Sequence, residues 1–133
     1  MQDRFRFRYV FTKDFGGKTG ICYKMPIFNL DTITDENFNK IVKSYIDYDY
    51  KLISIEQCTG LKDKNGKLIY EKDIIKCSYC SEAAIGVVEW DSESMQFVLK
   101  IKEDFYSFNP KTILDKIEIL GNIYETPELL EEN

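Results

Sequence analysis

The chain has 133 residues, 44 % of them hydrophobic, which is enough to build a core and too many for a disordered segment. Its net charge of −5 argues against broad binding to a phosphate backbone. It contains no histidine, which removes the side chain best suited to proton transfer near neutral pH and excludes the Ser-His-Asp and Cys-His nucleophile systems.

Residues 4–12 alternate. Phe5, Phe7, Tyr9 and Phe11 fall on one face of a predicted strand, and Arg4, Arg6 and Arg8 fall on the other. These are the three arginines of the chain; every other basic residue is lysine. Guanidinium groups at alternate positions aim to one side, and each matches carboxylate or phosphate in bidentate fashion. They form a candidate anion- or partner-binding stripe. The competing reading pairs them with acids of a neighbouring strand or of another subunit. Asp14 to Lys18 reads as a turn, and Thr19 to Phe28 as the returning strand of a hairpin.

Thr34 followed by Asp35 and Glu36 marks a helix start, with a capping hydroxyl and two acids at the positive end of the dipole. Phe38, Ile41, Val42, Tyr45 and Ile46 follow at helical spacing and predict one buried stripe. A strand is predicted from Lys51 to about Gln57. Short strands then follow at roughly Leu68–Tyr70, Asp73–Cys77, Ala84–Trp90, Met95–Lys102, Tyr106–Phe108 and Lys116–Tyr124, and Pro127 opens a final helical turn. The fold class is therefore α+β and mainly β. Residues 1–50 are expected to form an amino-terminal β-hairpin with one helix, and residues 51–133 a small SH3-like barrel with a short carboxyl-terminal helix. In such a barrel, exposed aromatics form a peptide groove. Tyr70 and Trp90 are the candidates, with Phe97 and Tyr106 nearby, against the reading that Trp90 fills the core. Long aromatic strands in a small protein leave edges that homo-oligomers can cover.

Cys77-Ser78-Tyr79-Cys80 is a lone C-x-x-C with neither a second pair nor a histidine, so reduced thiols are expected, with no metal and no cofactor; a four-cysteine site would need Cys22 and Cys58 to converge on this pair. Gly16-Gly17-Lys18-Thr19 lacks the spacing of a phosphate loop. The carboxylate pairs Glu71/Asp73 and Glu89/Asp91 read as surface acids. The first residues hold no long apolar core, and no apolar run approaches the roughly 20 residues of a membrane helix, so a cytoplasmic, membrane-free protein is expected. Charge is uneven: residues 1–50 carry eight basic and seven acidic groups, residues 51–133 ten and sixteen, four of the acids lying between Glu125 and Asn133.

The block Thr59-Gly60-Leu61-Lys62-Asp63-Lys64-Asn65-Gly66-Lys67-Leu68-Ile69-Tyr70-Glu71-Lys72-Asp73-Ile74-Ile75 contains an Asn-Gly turn, a short strand and a charged step into a second strand. With Ile119-Leu120-Gly121-Asn122-Ile123-Tyr124-Glu125 it resembles the YopX family of phage and prophage proteins of Gram-positive bacteria. Lys72 departs from that pattern, which has glycine between the two acids, so a left-handed backbone would have to be borne by a lysine here. The resemblance implies a small virus-encoded accessory protein in the host cytoplasm, with no catalytic motif to transfer. The expected function is non-enzymatic binding to a host or viral protein, in counter-defence or host takeover. The alternative is a nucleotide or oligonucleotide binder using Arg4, Arg6 and Arg8 with neighbouring aromatics.

Overall fold

The alternation of residues 4–12 becomes β1 (Arg6–Asp14), around which a first unit, Met1–Gln57, is built; Cys58–Asn133 forms a second. The computed structural model describes residues 5–30, 33–77, 83–107 and 116–131. The fold is α+β and mainly β.

In the first unit β1 pairs antiparallel with β2 (Ile21–Lys24), with β3 (Ile27–Asn29) and with the first part of β4 (Lys51–Lys62), in a sheet that curls into a half-barrel. The returning strand expected over Thr19–Phe28 is thus two short strands. Pro26 lies between them; it has no N–H to give a ladder, and its carbonyl accepts from Tyr9 N at 3.0 Å.

Helix α1 (Asp35–Asp47) starts where expected: Thr34 Oγ1 accepts from Asn37 N at 3.2 Å, with Asp35 and Glu36 in the first turn. It ends in a Schellman turn. Asp49 takes φ 66° where glycine is usual, Asp49 N donates to Ile46 O, and Tyr50 N donates to Tyr45 O. The Tyr45 and Tyr50 rings lie 5.7 Å apart edge-on, the apolar contact that accompanies this cap. The buried stripe is narrower than expected. Phe38, Val42 and Tyr45 are half-buried, whereas Ile41 and Ile46 are exposed. Phe38 packs edge-on against Tyr9 and Phe28, and Tyr45 stacks on Phe11. Most of the aromatic load of this unit is therefore packing.

β4 does not stop near Gln57 but runs on to Lys62, where it pairs with β5 (Leu68–Tyr70). The barrel expected of the second unit takes the form of a five-stranded antiparallel sheet. Its order is β10 (Ile117–Asn122), β6 (Asp73–Cys77), β7 (Ala84–Asp91), β8 (Gln96–Ile101), β9 (Asp104–Ser107). One face carries the core: Ile75, Cys77, Val88, Leu99 and Ile117 are almost wholly buried, clustered with Ile69 of β5. Gly86 is required on that face, since a Cβ there would sit 2.6 Å from Lys100 O. Helix α2 (Glu128–Glu131) closes the described chain.

Asp63 joins the two stretches that carry the family resemblance. Its Oδ1 accepts from Asn65 N and Lys67 N at 2.9 Å, closing the turn in which Gly66 takes φ 83°, and its Oδ2 accepts from Ile119 N at 3.0 Å. Burial would raise its pKa, but the backbone donors of Ile119, Lys67 and Asn65 outweigh that, helped by the Lys67 charge, and hold the carboxyl below its ordinary value. Asn122 does the same for the last strand: its Oδ1 accepts from Tyr124 N and Glu125 N, and its Nδ2 donates to Glu125 Oε1. Lys72 does carry the left-handed backbone, at φ 69°.

Candidate functional site

The turn between β7 and β8 is organised by Asp91. Its Oδ1 accepts from Glu93 N at 3.1 Å and its Oδ2 from Ser94 Oγ at 2.7 Å. The Ser94 hydroxyl and the Glu93 N–H hold the carboxyl below its ordinary pKa. Just before this turn, Trp90 and Phe97 are partners in register and meet edge-to-face with ring centres 4.9 Å apart. Phe97 packs against the core, while Trp90, at the end of the sheet, is 42 % exposed. On β9 Phe105 is 58 % and Tyr106 43 % exposed, and Lys100 Nζ lies 5.7 Å from the Phe105 ring centre. Between Trp90 and Phe105 opens a cleft of about 430 Å³. Val98 contributes to its lining, and Glu89, Asp91 and Glu93 give it an acidic rim.

Asp91 spends both oxygens on its own turn, and Glu89 lies 3.4 Å from Lys72 Nζ. Asp73 is buried and accepts from Tyr70 N at 2.9 Å, so Asp73, Glu89 and Asp91 are each engaged within the sheet and its turns. What the cleft offers is aromatic surface with negative charge around it, the combination that receives an apolar side chain flanked by lysine or arginine.

The other sequence candidates are placed differently. Arg4 lies outside the described residues. Arg6 is half-buried, and Arg8 is buried at 8 % exposure, with its Nε and Nη2 donating to Glu56 Oε1 at 2.9 and 2.7 Å. Arg8 and Glu56 are register partners, so the arginine is paired with an acid of the neighbouring strand. Tyr70 is buried at 5 % exposure, in contrast to Trp90. Gly16 and Gly17 belong to a hairpin loop, closed by Phe15 N to Gly20 O at 2.9 Å, and no helix follows to receive a phosphate. Cys58 and Cys77 are buried, Cys22 is half-buried, and Cys80 lies outside the described residues, which contain no cluster of ligands able to hold a metal. No described helix is long and apolar enough to cross a membrane.

The model of the family described as YopX protein matches residues 20–131. The chain belongs to the YopX family. The YopX match begins after β1, so Arg6 and Arg8 lie outside it, while the Asp63 turn, Lys72 and the Trp90 cleft lie within it. Among solved structures this YopX protein is similar to the crystal structure of protein EF1440 from Enterococcus faecalis. The identity is 24 %, over 90 % of this chain and 74 % of that one, with a TM-score of 0.46. No curated protein matches it.

Proposed function

We propose that this YopX protein is a small phage- or prophage-encoded accessory protein that acts in the host cytoplasm by binding a host or viral protein, as a counter-defence or takeover factor, and not by catalysis. The observation that carries the reading is the exposure of Trp90 and Phe105, which line one cleft, with Tyr106 exposed next to Phe105 on β9. Tryptophan and tyrosine are the residues that interfaces use as anchors, and a cluster of exposed aromatics rimmed by charge is what a binding surface presents. The acidic rim of Glu89, Asp91 and Glu93 favours a partner segment that brings lysine or arginine beside an apolar side chain.

Affinity capture from infected cells with the wild-type chain and with Trp90→Ala and Phe105→Ala as baits tests it. A protein retained by the wild type and lost from both variants, with their melting transitions intact, supports the reading. A partner retained equally by all three baits, or a turnover product abolished by changing one carboxylate or thiol, overturns it.

A further inference from the structure

A second concave surface lies on the face of the second unit's sheet opposite the core cluster. Ile85 and Val87, both on β7, form its floor, and Ile123 and Leu130 stand beside them. Lys72, Lys100 and Lys102 stand around this apolar strip, with Glu89 as the single acid. The cavity measures about 290 Å³, room for side chains rather than for a cofactor.

Three features single it out. The first is charge. In a chain of net charge −5, three lysines converge here on one glutamate. Glu89 serves Lys72 at 3.4 Å, and among the described residues neither Lys100 nor Lys102 has an acidic partner. The second is backbone. Lys72 at φ 69° and Lys102 at φ 56° are two of the four described non-glycine residues with a left-handed backbone. Lys72 is pinned there by its N–H to Val88 O at 2.7 Å and by its carbonyl, which accepts from Ile123 N at 3.1 Å. Strain of this kind is kept where the surroundings need the residue in place. The third is the chain's own use of the surface: Leu130, flanked in sequence by glutamates at Glu128 and Glu131, already lies along one side of it.

We propose that this groove docks an acidic, leucine-bearing peptide segment of a partner protein. Its aliphatic side chains sit on Ile85 and Val87, and its carboxylates meet Lys100 and Lys102. The site differs in charge from the Trp90 cleft, with which it shares Glu89, so a partner spanning both would meet surfaces of opposite sign, which sharpens selection against chains that match only one.

The probe is a fluorescein-labelled synthetic peptide of glutamates and leucines, titrated with the full chain in an anisotropy assay. Its control is the same peptide with glutamines in place of glutamates. The expected result is saturable binding that weakens as salt is raised, at least tenfold weaker binding of the glutamine peptide, and at least tenfold loss with Lys100→Glu/Lys102→Glu. The single change Lys102→Glu, at an exposed turn, gives the same direction if the double variant fails to fold. Trp90→Ala leaves the peptide affinity unchanged, which separates this outcome from the fate of the Trp90 cleft. Absent binding, equal affinity for the glutamine peptide, unaltered binding by the lysine variants, or preference for a simple fatty-acid anion over the peptide overturns the proposal.

Discussion

Arg8 and Glu56 face each other across β1 and β4, 48 positions apart in the chain, and the guanidinium donates twice to a single carboxylate oxygen while Ser54 Oγ donates to the other. With Glu56 1 % exposed, removing either partner takes this contact from a buried charge. Glu56→Ala is expected to cost about 3–5 kcal/mol. Replacing both by apolar residues of similar size is expected to cost much less, because the desolvation of two ions is removed with their attraction. Urea unfolding of the two singles and the double closes the cycle. A Glu56→Ala midpoint equal to wild type would show that the pair is not held as described.

Asp63 predicts an acid-limb dependence. A carboxyl held below its ordinary value of 3.8 gives stability that is fully present above that pH and lost as pH falls through the folded-state value. In Asp63→Asn an amide nitrogen would face the Ile119 N–H, a donor against a donor. The variant is expected to lose about 3 kcal/mol near neutral pH. The gap to wild type should close as pH drops below 3.8, read from denaturant midpoints across an acid titration. A constant gap would assign the loss to packing instead.

Gly86 is fixed by close approach rather than by an unusual dihedral. An added Cβ would meet Lys100 O at 2.6 Å, Leu99 Cδ1 at 2.8 Å and Ile101 Cγ1 at 2.9 Å, and backbone cannot swing aside as a side chain can. Gly86→Ala is expected to destabilise by about 1–3 kcal/mol in a thermal or urea melt.

Lys72 offers the opposite sign. Its backbone sits at φ 69°, and its contact with Glu89 is a partly exposed pair of little weight. Lys72→Gly is expected to raise stability by about 1 kcal/mol by relieving the Cβ clash. The same change removes one cation from the groove floored by Ile85 and Val87, so the acidic peptide should bind more weakly to a more stable protein. Melting and anisotropy on the same preparation read both effects.

Self-association is expected as well. On β4, Ile53 and Ile55 are 47 % and 51 % exposed, and Ile21 and Ile27 of the same unit are 59 % and 51 % exposed. That is more aliphatic surface than an isolated small unit usually shows. Light scattering after size exclusion should give a mass above the 15.7 kDa of one chain. Ile53→Lys/Ile55→Lys should return it to that value, and a wild-type monomer at high concentration counts against the idea.

Much of this was readable in the sequence where the cause is local. The Phe-Arg alternation made β1, Thr34 capped α1, and Asn65-Gly66 turned the chain, although only Gly66 needs the left-handed backbone. The missing glycine at Lys72 leaves two outcomes, no left-handed backbone or one carried by lysine, and the structure contains the second. What escaped depends on register. Which arginine is buried is settled by Glu56 lying opposite Arg8, and no window around either residue carries that information. The helix stripe is narrower than its periodicity implies, because periodicity gives a face and not its depth of cover. The lysine groove assembles from Lys72, Lys100 and Lys102 on separate turns and strands, so it exists only once β6, β7 and β8 are side by side.

The chain holds a single indole, and it stands half in solvent at the rim of the acidic cleft. The molecule thus carries a native optical reporter at its candidate docking point. Whatever lands there changes the polarity around one fluorophore, so emission colour and quencher access follow occupancy without any attached dye.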